Sequence, residues 1–277
     1  MTTVASENIV ITKNMGTRLK IDEVCLHKGD FWTILSNANT KKACAIMKGT
    51  KVAELGTYLN KFTTKQRLNV TEITLDMSQS FDWIARTYFP NAEKVIDRFH
   101  VQRVVYDAVQ EMRVKERKII IQAEREGIIL RKTFTNGDTR RQLLARSRGL
   151  LYKPMKRWTN TQKERAEILF QEYPHIQKAY LLSQKLKAWY DKKYSREIAE
   201  KRLHEWYKEV EDSGFKALQE AAETIKRHEG WILNYFNNRS TNAYAESLNS
   251  KVKLFKTLVR GITKPEYFIY RLATYIT

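Results

Sequence analysis

Apolar and polar positions alternate through much of the first hundred residues, and the period changes to a helical one after them. The segment RLKIDEV, residues 18–24, alternates in the manner of a half-buried strand. Lys28-Gly29-Asp30 makes a turn into a second strand over 31–35, and residues 43–47 make a third. The connections are short enough for an antiparallel meander. Helical spacing at Val52, Leu55, Leu59 and Phe62 predicts a helix over 52–62. A fourth strand over 70–75 ends at Asp76. A helix over 81–88 closes at Phe89-Pro90-Asn91, and a short fifth strand over 94–96 ends at Asp97.

From Val101 to Phe236 the sequence is charged and nearly free of strand patterns. Helices are predicted over 101–126, 161–172, 174–193, 195–211 and 215–228, with the clearest break at Asn136-Gly137-Asp138. Thr161 through Glu164 fits a capping box. Residues 242–255 and 265–275 read as two closing helices, and no internal repeat is found. The order β-β-β-α-β-α-β, then a helical block, then two helices, is that of an RNase H-like fold. The expected class is α/β: an RNase H-like core, with a mixed five-stranded sheet and flanking helices, interrupted by a large all-α insertion. The expected division is an N-terminal extension over 1–17, the first part of the core over 18–100, a helical basic insertion over 101–236, and closing helices over 237–277.

Charge changes the picture most. The chain has 277 residues, and its formal net charge is +19. A field of that strength attracts polyanions, nucleic acid first. Residues 1–100 carry +4, residues 101–236 carry +10 and residues 237–277 carry +5. The densest stretch, residues 131–158, has nine basic residues and one acidic. Arg140, Arg141, Arg146, Arg148, Lys153, Lys156 and Arg157 are its candidate DNA-binding residues, and Phe134, Tyr152 and Trp158 interleave with the charges as if to pack on bases or sugars. The competing reading is a solvated basic loop with its aromatics in the core. Hydrophobic residues make up 42%, enough for a real core, which excludes a wholly disordered chain. No apolar run is long enough to span a membrane, and MTTVASENIVITKN does not read as a secretory signal. Cys25 and Cys44 are too few for a disulfide framework or a Cys-based zinc module; two buried cysteines in a reducing cytoplasm are expected.

In so basic a chain, carboxylates at strand ends stand out. Asp22 lies in the first strand and Asp76 ends the fourth; these strands are neighbours in an RNase H-like sheet. Glu246, in NAYAESLN, is one of two acids after residue 236; the other, Glu266, follows Pro265 at a helix start, where the dipole favours an acid. Three converging carboxylates suit hard divalent cations, and a pair of such ions serves phosphodiester chemistry. Each acid taken singly also reads as an ordinary surface or capping carboxylate. Asn242 and Asn249 flank Glu246 at helical spacings and either orient it or touch phosphate, with capping as the plainer role for Asn242. Lys251, Lys253 and Lys256, with Arg260, follow it and read either as DNA-backbone contacts or as a solvated face.

Three stretches, LKIDEVCLHKGDFWTIL, TLDMSQSFDWIARTYFPNAEKVIDRFHVQRVVYDAVQEMR and NRSTNAYAESLNSKVKLFKTLVRGITKPEYFIYRLA, resemble the catalytic part of bacterial insertion-sequence DDE transposases, the ISL-three family most closely. The middle, SRGLLYKPMKRWTNTQKERAEILFQEYPHIQKAY, is similar to that family's helical region. The resemblance implies an RNase H-like core with a helical insertion ahead of the last acid, and DNA cleavage and joining with two Mg²⁺ ions, Mn²⁺ substituting. Carried over residue by residue, Asp22 and Asp76 are the two aspartates and Glu246 the glutamate, all three catalytic and metal-holding. Asp97 and His100 match an accessory D-x-x-H pair, and Asp97 competes with Asp76 for the role of second acid. The implied partners are DNA at the element ends and target, and a homo-oligomer on that DNA, with no membrane; the implied location is the bacterial cytoplasm, at the nucleoid. Many family members begin with a zinc-binding module and a helix-turn-helix. Here Asp22 comes almost at once, so end recognition is expected either to be truncated or to come from a separate protein. The alternatives are a catalytically silent transposase-derived DNA-binding protein, an RNase H-like nuclease without strand transfer, and a helical RNA-binding protein. The last leaves the strand-end acids unexplained.

Overall fold

The computed structural model describes residues 9–27, residues 29–239 and Arg271. Asn242, Glu246, Asn249, Lys251, Lys253, Lys256 and Arg260, with the two closing helices expected there, lie outside the described residues. Contacts divide the described residues into two compact units. One runs up to Arg98 and resumes at Gly230; the other is Phe99–Glu229.

The first unit is built on a sheet. Its elements are β1 (Ile9–Val10), β2 (Arg18–His27), β3 (Asp30–Asn37), β4 (Ala43–Lys48), α1 (Val52–Leu59), α2 (Thr64–Leu68), β5 (Glu72–Leu75), α3 (Gln79–Tyr88) and β6 (Glu93–Ile96). The strand order is β1-β4-β3-β2-β5-β6. β2, β3 and β4 form the antiparallel meander, and β5 and β6 add to β2 in parallel. This is the mixed sheet of an RNase H-like core. The five strands read from the sequence are all present, and β1 adds a sixth by pairing antiparallel with β4. Two residues are too short a run for alternation to show.

Parallel neighbours need a crossover, and α3 supplies the one between β5 and β6. Phe81, Ile84 and Ala85 form its buried face. Asp82 on α3 is held by Lys94 of β6 at 2.6 Å and by Arg86 at 2.9 Å. Burial pushes the Asp82 carboxyl up, but the hydrogen bonds from these two cations leave it below its ordinary value. The core of this unit includes Leu19, Ile21, Trp32, Ile34, Ile73, Leu75 and Ile96, all within 2% of full burial.

The second unit is helical: α4 (Arg98–Arg125), α5 (Arg140–Arg146), α6 (Arg148–Leu151), α7 (Asn160–Glu172), α8 (Pro174–Asp191), α9 (Arg196–Ser213) and α10 (Lys216–Arg227). The chain then returns to the first unit through α11 (Glu229–Leu233) and α12 (Tyr235–Asn238). Indole N–H groups tie the helices together: Trp189 Nε1 donates to Ala199 O at 2.8 Å, and Trp206 Nε1 to Leu182 O at 2.9 Å. Pro174 opens α8, and Gly214, at φ +68°, closes α9 in the left-handed conformation that glycine tolerates best.

Three local expectations are corrected. The capping box of α7 is Thr159 with Gln162, so Thr161 lies inside the helix. Both pairs cap on paper; the chain takes the earlier one, where Thr159 Oγ1 receives the Gln162 N–H and Gln162 Oε1 receives the Thr159 N–H. The basic stretch, over which no helix is expected from the sequence, holds two short ones, α5 and α6. Cys25 is exposed, and only Cys44 is buried, where loss of solvent pushes its thiol up to about 12.

Candidate functional site

Strand register positions the acids. β2 and β5 pair in parallel with Lys20 opposite Thr74, so Asp22 and Asp76 each lie two residues beyond that pair. β5 and β6 pair with Leu75 opposite Ile96, so Asp76 and Asp97 are each the next residue on. The ladder continues one step, because the Asp97 N–H donates to Leu75 O at 2.8 Å. Asp22, Asp76 and Asp97 therefore stand level: Asp76 and Asp97 just past the ends of β5 and β6, and Asp22 within β2, where its pairing with β5 has stopped. Ligands gather at the C-terminal strand ends of open α/β sheets.

The three differ in surroundings. Asp22 is 8% exposed and Asp97 only 2%. Asp76 is half-buried; its Oδ1 accepts from the Ser78 N–H at 2.8 Å, and Ser78 in turn caps α3. Asp22 Oδ1 accepts from the Glu23 N–H at 3.0 Å. Lys20 joins the outer two: its Nζ is 2.6 Å from Asp97 Oδ2 and 3.4 Å from Asp22 Oδ2. Lys20 is not among the candidates that the sequence singles out. Its signal was a lysine two residues from an acid on a strand, which puts both on one face. Carboxylate oxygens are the donors that hard divalent cations take. The row supplies that donor type from three strands at one level, so the residue types fit the group.

Four residues back along each strand, the same face is polar again. Arg18 donates to both oxygens of the buried Glu72, at 3.1 and 3.0 Å. Asn238 of α12 donates to Glu72 Oε2 at 3.0 Å, Asn237 to Glu93 Oε1 at 2.9 Å, and Asn234 to Lys94 O at 2.9 Å. These asparagines fasten the returning chain to β5 and β6 a short stretch of sequence before Glu246. His100 falls in the first turn of α4 and is half-buried beside Phe99.

The basic stretch of the helical unit divides by role. Asp138, its one acid, is fully buried, with Arg165 Nε at 2.7 Å from its Oδ2 and Arg146 on its Oδ1. Burial pushes the Asp138 carboxyl up, but the two guanidinium groups hold it below its ordinary value. Arg141 pairs with Glu124 at 3.8 Å, and Arg140 Nη1 donates to Leu130 O at 3.0 Å. Arg148, Lys153, Lys156 and Arg157 are exposed and form no ion pair among the described residues. The aromatics serve the interior: Trp158 packs on Phe170 and Tyr180 and donates to Leu150 O, and Tyr152 packs on Tyr106. Neither is an open platform for a base. Buried Arg113 is likewise outside those candidates; it donates to Gln110 Oε1 at 2.7 Å and to Leu144 O at 2.8 Å, near the end of α5. Burial, with Arg148 and Arg117 near by, holds its guanidinium below the usual value.

A second group of possible ligands lies in the helical unit: Glu200, His204 and Glu229, with His204 Nε2 at 2.8 Å from Glu229 Oε1. It contains none of the acids singled out in the sequence. No helix among the described residues is long and apolar enough to cross a membrane.

Comparison with known proteins gives the family. A family model described as a transposase, of the DDE type and the ISL3 (ISL-three) group, matches residues 19–272. The chain is 23% identical over 258 residues to the transposase of insertion sequence element IS1001 from Bordetella parapertussis, covering 92% of this chain and 59% of that protein. It is 23% identical over 265 residues to the transposase of insertion sequence element IS1557 from Mycobacterium tuberculosis, covering 91% and 58%. The chain thus spans about three fifths of the length of these relatives. No solved structure matches it. The family match begins in β2, just ahead of the first acid, and runs on through the helical unit: the chain belongs to the ISL3 family of DDE transposases.

Proposed function

We propose that the chain catalyses metal-dependent DNA cleavage at insertion-sequence ends and joins the freed ends to target DNA. The observation that carries this reading is the level row that Asp22, within β2, makes with Asp76 and Asp97, just past the ends of the parallel strands β5 and β6. Asp22, Asp76 and Glu246 would hold two Mg²⁺ ions, with Mn²⁺ substituting. Bound there, the ions supply Lewis-acid stabilisation of the attacking and leaving oxygens of a phosphodiester. Asp97, tied to Lys20, and His100 brace the site without entering that set. Water breaks the P–O3′ bond at the element's end and frees a 3′-hydroxyl. That hydroxyl then attacks a phosphorus of the target strand in line and displaces its 3′-oxygen. Exposed Arg148, Lys153, Lys156 and Arg157 hold the DNA backbone, together with Arg140 and, beyond the described residues, Lys251, Lys253 and Lys256. The proposed partners are element ends, target DNA, a second copy of the chain on that DNA, and a separate recognition protein. The proposed place of action is the bacterial cytoplasm, at the nucleoid.

The test is cleavage and strand transfer on labelled element-end DNA with Mg²⁺ or Mn²⁺, with and without the recognition protein. Products lost in Asp22→Asn, Asp76→Asn and Glu246→Gln, and only weakened in Asp97→Asn, are the expected result. A dead Asp97→Asn beside an active Asp76→Asn makes Asp97 the second acid. Cleavage without joined product reduces the function to that of a nuclease. Salt-sensitive DNA binding with no product under any condition leaves a silent DNA-binding protein.

A further inference from the structure

Lys20 is 6% exposed and sits on the second strand of a sheet core. An ammonium removed from water is retained where carboxylates repay its lost hydration. Here two of them do so, Asp97 at 2.6 Å and Asp22 at 3.4 Å. They come from strands that are not neighbours, because β5 lies between β2 and β6. Register places Lys20 level with Thr74, on the face of Asp22 and one step below the acidic row. A lysine stem rising from there reaches both outer acids of the row at once.

We propose that Lys20 is the resident counter-cation of the acidic centre: it binds Asp97 as its closer partner, keeps that carboxylate out of the metal-holding set, and lets the sheet bury Asp22 and Asp97 before any divalent cation arrives. The proposal rests on the reading of Asp22 as a metal-holding residue. Two consequences follow from the charges. Without the ammonium, the metal-free chain carries buried acids with less compensation and is less stable. Without a like charge beside Asp22, a divalent cation binds there more tightly. A lysine serving only as a strand-to-strand tie has the first consequence and not the second. Lys20 is thus a positioning residue, and metal affinity is the readout that separates the two roles.

The experiment uses the full chain and needs no DNA. Wild type, Lys20→Met, Asp97→Asn, the double variant and Asp22→Asn are compared by thermal unfolding without metal and by Mn²⁺ binding, read from the loss of the free-ion electron paramagnetic resonance signal. Lys20→Met is expected to lower the metal-free Tm by several degrees. Adding Asp97→Asn is expected to restore most of that loss, because the acid that Lys20 held at 2.6 Å is gone. Lys20→Met is also expected to bind Mn²⁺ about tenfold more tightly than wild type, with a larger Mn²⁺-induced rise in Tm. Unchanged or weaker Mn²⁺ binding in Lys20→Met, with Asp22-dependent binding intact in wild type, overturns the proposal and leaves the metal reading standing. Should Lys20→Met prove too unstable to measure, Lys20→Met/Asp97→Asn compared with Asp97→Asn carries the same affinity test. Mn²⁺ binding that is absent from wild type, or that survives Asp22→Asn, overturns the metal reading and the counter-cation role with it; a Tm cycle that still couples Lys20 to Asp97 then marks a purely structural pair.

Discussion

Each unit of this basic chain buries carboxylates, and the two units compensate them differently. In the helical unit Asp138 is fully buried, and two arginines, Arg146 and Arg165, are assigned to it alone. In the sheet unit Asp22 and Asp97 share one lysine and stand level with a third acid, Asp76. The first arrangement is closed: every charge on Asp138 is answered inside the protein, and the effect is to join α7 to the turn before α5. The second brings three acids to one level, with Lys20 shared between the outer two. The first arrangement dedicates its cations to one acid, whereas the second shares one cation between acids from different strands.

The largest effects should separate the two kinds of acid. Asp22→Asn and Asp76→Asn are expected to lower cleavage by about 10³-fold or more, since a metal's stabilisation of the transition state amounts to several kcal/mol. Neither should lower the metal-free Tm by more than a few degrees. Asp138→Asn should do the reverse. Breaking a buried pair costs about 3 kcal/mol, read as a lower denaturation midpoint, while cleavage per folded molecule stays near wild type. Its pH dependence has a definite sign. The folded Asp138 carboxyl is held below its ordinary value, so its contribution is complete above the unfolded value of about 3.9 and is lost as pH falls through the lower folded one. Wild type should therefore lose stability on acidification below about pH 4 more steeply than Asp138→Asn. Acid titrations of the two proteins that run parallel would break the comparison.

Half of this contrast was legible in the sequence. Alternation gave β2 to β6 and set Asp22, Asp76 and Asp97 on strands or at their ends, because period-two patterns are local. What alternation does not carry is partnership. Lys20 meets an acid 77 positions away, and Asp138 meets arginines 8 and 27 positions on. Those pairings exist only once parallel register and helix packing are set. The same limit explains Trp158: between lysines and arginines it reads as a surface aromatic, yet Phe170 and Tyr180, from two later helices, draw it inside. β1 and the helices α5 and α6 are too short to build a period, and Glu246 lies outside the described residues.

A smaller effect sharpens the contrast on the basic side. Arg146 and Arg165 are engaged by Asp138, whereas Lys153, Lys156 and Arg157 are exposed and make no ion pair among the described residues. Only the second group is available to phosphate. Replacing those three by alanine should lower the slope of log affinity against log salt by up to about 2.7, at about 0.9 per phosphate contact on duplex DNA. Arg165→Gln should leave the slope unchanged and lower stability instead. Equal slopes for wild type and the triple variant would remove this segment from the DNA interface.

The smallest effect concerns how the closed pair is held. Arg165 reaches Asp138 from the first half of α7, so the start of that helix fixes where the guanidinium stands. The start is set by Thr159, whose hydroxyl accepts the Gln162 N–H while Gln162 returns a carbonyl to the Thr159 N–H. Removing a threonine cap costs about 1 kcal/mol. Thr159→Ala should therefore lower stability by about that amount, and Thr161→Ala, inside the helix, by less. If the cap acts through Arg165, the loss from Thr159→Ala should shrink in an Asp138→Asn background, since the pair it supports is already broken; a double-mutant cycle reads that coupling directly. Full additivity would mean that α7 holds its place by its buried face, Ala166, Leu169 and Phe170, and that the Asp138 pair depends on packing rather than on the cap.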